Sequence, residues 1–128
     1  MSRPGDSMRA LQLLILLSLI ALLSGCIDLG KGEHSQKIIK DLEGKTVVIV
    51  FYADWCKYCK ALEPTLNQLE KEGIEIIRIN VDEHPELARK FGIRGLPTVV
   101  YIKDGVEVGR TIGYNPEEVV NKARELYH

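Results

Sequence analysis

Thr46 to Lys60 reads TVVIVFYADWCKYCK: seven β-branched or aromatic residues, a three-residue turn, and two cysteines at a spacing of three. The unbroken run Thr46–Tyr52 predicts a central strand covered on both faces, because a half-exposed strand would alternate apolar with polar side chains. From Cys56 to Glu72 the composition is helical, with Leu62, Leu66 and Leu69 spaced by four and three. Pro64 lies inside that helix and predicts a kink. Cys56 and Cys59 therefore fall at a helix amino terminus, directly after a buried strand. Unpaired N–H groups and the helix macrodipole favour a thiolate there, the reactive form of cysteine. Three residues later the chain has turned almost once, so the second sulfur returns beside the first and can close a small disulfide. Attack, mixed disulfide and resolution become possible at one helix end, with Cys56 expected to be acidic and open to solvent.

Outward from this stretch, His34 to Leu42 places Ile38, Ile39 and Leu42 on one helical face, ended by Glu43-Gly44-Lys45. Ile74–Val81 predicts a second buried strand. Pro85–Phe91 predicts a short helix with Pro in its first turn and Gly92 as its stop. Thr98–Lys103 and Val106–Ile112 predict two strands joined by Asp104-Gly105, a two-residue hairpin signal. Asn115 caps a last helix that starts at Pro116 and runs to about Tyr127. The order α β α β α β β α implies an α/β fold: a parallel right-handed crossover, an antiparallel hairpin at the edge, and a mixed sheet of four strands with helices on both faces.

A chain of 128 residues, 45% hydrophobic and 27% charged, suits one globular domain. With 17 basic against 18 acidic side chains the net charge is −1, so no global positive field holds a polyanion, and one Trp leaves no stacking platform. Nucleic acid is excluded as an expected partner. Three cysteines are too few for a disulfide-built scaffold, and they divide into one alone and one pair.

The solitary one is Cys26. Ala10–Leu23 (ALQLLILLSLIALL) follows Arg3 and Arg9 and is broken only by Gln12 and Ser18. It is short for a bilayer span, which takes about 20 apolar residues, and suits the apolar region of an export signal, about 7 to 15. Leu23-Ser24-Gly25-Cys26 resembles the lipobox of prokaryotic lipoproteins. That resemblance implies a signal peptide over 1–25, acylation of Cys26, and a membrane anchor made of acyl chains. An ordinary cleaved signal and an uncleaved anchor helix are the competing readings. The linker 26–32 (CIDLGKG) reaches about 25 Å when extended, so the domain over 33–128 would stay near the membrane surface.

Trp55-Cys56-x-x-Cys59-Lys60 after a buried strand, Pro64 five residues on, Gly92-Ile93-Arg94-Gly95-Leu96-Pro97-Thr98 and the Lys103-Asp104-Gly105 hairpin together resemble the thioredoxin family, over about residues 45 to 127. The resemblance implies a thioredoxin-like fold in which Cys56 attacks, Cys59 resolves and Pro97 is a cis residue facing the disulfide. The Leu96 backbone would pair with an extended client, and Trp55 would wall the site. The chain departs from the family where Val50 stands in place of a buried acid that helps move the proton of the second cysteine. Asp54, a nearby Glu such as Glu63, or water is left to that task. Lys57-Tyr58 replaces the common Gly-Pro pair, and Lys57 adds positive charge beside Cys56 that favours its thiolate. The family's first strand is missing, its place taken by the linker.

Blander readings stand beside these. Cys56 and Cys59 are half a zinc site, but His34, His84 and His128 are scattered, so no metal is expected. A purely structural four-residue ring would restrain the unfolded chain very little. Trp55 as core filler, Asp54 as a turn residue, and Lys57 and Tyr58 as solvated positions are the plain alternatives, while Arg110 and Tyr114 read as edge-strand and surface residues. The expectation is a membrane-anchored, extracytoplasmic protein-disulfide reductase acting in cell redox homeostasis. It needs no organic cofactor, since the electrons reside in the cysteine pair. Its partners would be protein disulfide clients and a membrane-embedded thiol reductant, and the domain is expected as a monomer. An oxidase or isomerase on the same fold, or a non-catalytic peptide-binding lipoprotein, are the alternatives.

Overall fold

The computed structural model describes residues 9–18 and 32–128. Cys26, the Leu23-Ser24-Gly25 before it and most of the linker lie outside them. The chain divides into two units, 1–31 and 32–128. In the first, helix α1 (9–18) carries Leu11, Leu13, Leu14, Ile15, Leu16 and Leu17 with their side chains exposed. Among the described residues no helix is long and apolar enough to cross a membrane.

The second unit runs α2 (Gly32–Asp41), β1 (Val47–Tyr52), α3 (Lys57–Lys71), β2 (Ile76–Asn80), α4 (Pro85–Lys90), β3 (Thr98–Lys103), β4 (Val106–Ile112) and α5 (Pro116–Tyr127). Its four strands form one mixed sheet in the order β2-β1-β3-β4, with β1 parallel to β2 and antiparallel to β3. β1 lies inside the sheet, which is why all but one of its residues are buried and its sequence carries no alternation.

Alternate residues of β1 feed two cores. Val48 and Val50, with Val99 and Tyr101, meet Leu62, Leu66 and Leu69 of α3 and Val119, Ala123 and Leu126 of α5. Val47, Ile49 and Phe51 meet Ile38, Ile39 and Leu42 at α2 and Leu87 of α4. Period-two pleating converts a continuous apolar run into two helix-binding faces.

The edges show the local chemistry at work. Asp104 and Gly105 both adopt positive φ, 51° and 80°, as the tight hairpin demands. A Cβ on Gly105 would also stand 2.9 Å from the Gly44 backbone nitrogen, so this turn is committed to glycine twice over. α5 is capped by Asn115, whose side chain accepts from the Glu118 N–H at 3.2 Å. Its far end is pinned by Tyr127, whose hydroxyl donates to the Thr46 carbonyl at 2.9 Å and accepts from the Glu75 N–H at 3.1 Å. α3 continues through Pro64, whose missing N–H leaves the Lys60 carbonyl without its helical hydrogen bond.

Candidate active site

β1 ends at Tyr52, and three residues later the chain enters α3 through Cys56, its N-cap. Cys56 has extended backbone angles, and its Sγ accepts the Cys59 N–H at 3.2 Å. The sulfur thus occupies the place usually taken by a Ser or Asp oxygen, and it satisfies one of the helix's otherwise unpaired donors. A thiolate at that point gains from both the N–H and the helix dipole. Cys56 and Cys59 are joined as a disulfide, with Cα atoms 5.3 Å apart.

The pair is less open than the sequence suggests. Cys56 is 6% exposed and Cys59 5%, and with Ala53 they pack against Tyr52, Val81 and Leu96. What distinguishes them is the space each one faces. Cys56 lines a groove of about 510 Å³ together with Trp55, Lys57, Tyr58, Val81 and Leu96, and with Ala88, Ile93, Arg94 and Gly95. Cys59 faces instead a small cavity of about 110 Å³, lined by Tyr52, Ala53, Asp54, Lys60 and Glu63. Reactivity at Cys56 is therefore a matter of access along a groove rather than of a protruding sulfur.

The remaining anticipated residues fall on one side or the other. Trp55 is 72% exposed, so it is no core filler; its Nε1–H donates to the Asp82 carboxylate at 2.9 Å, and the ring stands as one wall of the groove. Lys57 lines the same groove, whereas Asp54 belongs to the cavity on the Cys59 side. The Leu96–Pro97 bond is cis. Leu96 lines the groove, and among the described residues no hydrogen bond engages its main chain. Pro97 is buried, and its carbonyl accepts the Gly113 N–H at 2.8 Å. The loop is braced by Thr98, whose hydroxyl donates to the Gly95 carbonyl at 2.7 Å.

Several contacts of the site had no signal in the sequence. Asp82 holds Trp55 from the turn after β2, and its N–H is in turn held by the Asn80 side chain at 2.9 Å. The parallel pairing of β1 and β2 brings the two strand ends together, which is where sites in parallel sheets gather. Tyr58, which lines the groove, meets Tyr114 with ring centroids 5.8 Å apart. Glu63 accepts from Nε and Nη2 of Arg78, each at 3.1 Å, and Arg78 also donates to Glu70 at 2.7 Å.

The arrangement can exchange disulfides. A sulfur at a helix tip opens on a groove, a second sulfur is bonded to it, and Leu96, whose main chain no hydrogen bond engages among the described residues, lines the same groove. The chain is similar to known proteins. The family model described as Thioredoxin matches residues 26–125. A thioredoxin of Chlamydia caviae is 39% identical over 74 residues, 56% of this chain and 72% of its own length. One of Bacillus subtilis is 37% identical over 79 residues, 59% and 76% of the two chains. Among solved structures, oxidised mitochondrial thioredoxin 3 of Saccharomyces cerevisiae superposes with a TM-score of 0.67 at 30% identity, covering 70% of this chain and 88% of its own. Fasciola hepatica thioredoxin gives 0.63 at 34%, with the same coverage. The chain belongs to the thioredoxin family, and the Cys56–Cys59 pair makes it a thiol–disulfide oxidoreductase.

Proposed function

We propose that this thioredoxin reduces protein disulfides on the extracytoplasmic face of a membrane to which Cys26 tethers it. The observation that carries the reading is the division of the cysteines: Cys56 faces the groove and Cys59 does not. In the reduced protein the Cys56 thiolate attacks one sulfur of a client disulfide, and the other client sulfur leaves as a thiolate. Cys59 then loses its proton and attacks the Cys56 sulfur. The Cys56–client bond breaks, the Cys56–Cys59 bond forms, and the client has gained two electrons. Leu96 offers its free main chain to an extended client segment, with Trp55 and Lys57 flanking it.

Direction is supported by the Gly95-Leu96-Pro97-Thr98 loop and by relatives that are themselves named thioredoxins. A reductase outside the cytoplasm ends each turnover as the disulfide and needs a thiol donor in the membrane. The short linker after Cys26 keeps the domain near such a donor. The lipid anchor is supported by Leu23-Ser24-Gly25-Cys26 at the end of an apolar run.

Insulin-type disulfide reduction by the full chain, compared with Cys56→Ser, tests the activity: equal rates defeat it. A reduction potential near those of strong disulfide oxidants reverses the direction. Cys26→Ala is expected to release the processed protein from membranes, and continued fractionation with them after loss of the signal segment rules out acylation as the anchor. Cys59→Ser expressed in cells should trap mixed disulfides and so name the clients.

A further inference from the structure

Cys59 must lose a proton to resolve a mixed disulfide, yet it is buried and does not face the groove where the client lies. Burial among apolar groups disfavours a thiolate. The β1 residue that packs against the pair is Tyr52, whose phenol is no base at neutral pH. The space on the Cys59 side is the 110 Å³ cavity lined by Tyr52, Ala53, Asp54, Lys60 and Glu63, polar and roomy enough to admit water.

We propose that Glu63, positioned by Arg78, accepts the Cys59 proton through water in this cavity. Glu63 follows Cys59 by four residues on α3, so the two side chains lie one above the other on one helical face. Its carboxylate is fixed by two parallel hydrogen bonds from Arg78, which stands opposite Val50 in the β1–β2 register. Arg78 is shared with Glu70 and also reaches the Asn67 side-chain oxygen at 3.4 Å. One guanidinium is thus shared between two carboxylates, so it fixes Glu63 without being committed to it alone. Asp54 shares the cavity, but it is exposed and no hydrogen bond among the described residues holds its carboxylate in place. A fixed acceptor needs no reorganisation at the moment of transfer, which favours Glu63. Lys60, in the same lining, supplies positive charge to the forming thiolate.

The step balances within the protein and client. The Cys59 S–H bond breaks and its proton passes by water to Glu63. The Cys59 sulfur bonds to Cys56 as the Cys56–client bond breaks, and the client sulfur leaves with the electron pair. Glu63, whose side chain is 42% exposed, returns its proton to solvent.

The inference rests on Cys59 as the resolving thiol, and a thionitrobenzoate mixed disulfide tests both. Reduced full chain carrying Cys26→Ala, in which Cys56 and Cys59 are the remaining thiols, is treated with the aromatic disulfide that places thionitrobenzoate on Cys56, and the two releases of the coloured thiolate are timed. Glu63→Gln is expected to leave the first release unchanged and to slow the second on the order of a hundredfold at pH 7, as for loss of a general base. The deficit should shrink toward pH 10, where a thiol of ordinary pKa near 8.5 ionises unaided. Arg78→Gln should slow the second release less, with the same pH signature, and Glu63→Asp should recover part of the rate. An unchanged second release in Glu63→Gln, a deficit that persists at pH 10, or a larger pH-dependent loss in Asp54→Asn overturns the role of Glu63 while leaving the resolving role of Cys59 intact. If Cys59→Ser still gives both releases, the reading of the pair falls and Glu63 with it.

Discussion

The Trp55 indole N–H and the Asp82 carboxylate meet at 2.9 Å across 27 residues of sequence, so the wall of the groove is anchored to the turn that follows β2. Without that bond an exposed indole is free to swing among rotamers. Asp82→Ala is expected to lower kcat/KM toward a protein disulfide about fivefold, the equivalent of roughly 1 kcal/mol for one hydrogen bond, with little change in melting temperature. Trp55 is the chain's only tryptophan, so its fluorescence reports the loosening directly. Unaltered emission in Asp82→Ala would show that the bond does not hold the ring.

Lys57 is the first residue of α3 and lines the groove beside the Cys56 sulfur. Positive charge close to a thiol favours its ionised form, and reversing that charge raises the pKa. In the reduced protein Lys57→Glu is expected to shift the pH midpoint of Cys56 alkylation upward by several tenths of a unit to about one unit. Iodoacetamide rates between pH 5 and 9 measure it. No shift would leave the helix amino terminus as the sole source of activation.

Arg78 ties α3 to β2 through Glu63 and Glu70. Its hydrogen bond holds the Glu70 carboxyl below the ordinary 4.5, against the opposing effect of burial. A depressed folded-state pKa contributes stability above the unfolded value, and that contribution is lost as pH falls through the folded one. Arg78→Met should therefore lower the melting temperature at pH 7 by a few degrees, since exposed ion pairs contribute about 1 kcal/mol or less. The same variant should lose less than the parent as the pH drops from 4.5 to 3. Parallel melting curves against pH for the two proteins would contradict this.

Tyr101 and Thr111 are both buried, and their hydroxyls meet at 2.9 Å across the β3–β4 pair. Burial pushes the Tyr101 phenol up to about 12, with the Thr111 bond pulling the other way. A raised folded-state pKa means stability that is intact below the unfolded value near 10 and is lost between 10 and 12. Tyr101→Phe leaves the Thr111 hydroxyl unpaired, at a cost of about 1 to 3 kcal/mol at neutral pH. It should also flatten the alkaline fall in stability, as denaturant titrations at pH 8 and 11 would reveal.

Much of the frame was legible in the chain. Thr46–Tyr52 announced an inner strand because both of its faces had to be apolar, and β1 spans all but the first of those residues. Asp104-Gly105 and Asn115-Pro116 marked a hairpin and a helix start because positive φ and an unpaired N–H admit few residue types. The cysteine pair declared itself because its spacing is one helical turn. These are all short-range matters, settled by neighbours along the chain.

Where each side chain faces was a different question. The sequence did not distinguish the groove before Cys56 from the cavity behind Cys59. It offered Asp54 and Glu63 as equals, although only Glu63 meets Arg78. Nor did it join Trp55 to Asp82 or Tyr58 to Tyr114. Residues alone determined the elements, the turns and the reacting sulfurs, since those follow from local sterics and periodicity. The partners of Trp55 and Glu63 depend on which strand ends lie side by side, and only the closed sheet, with α3 packed across it, decides that.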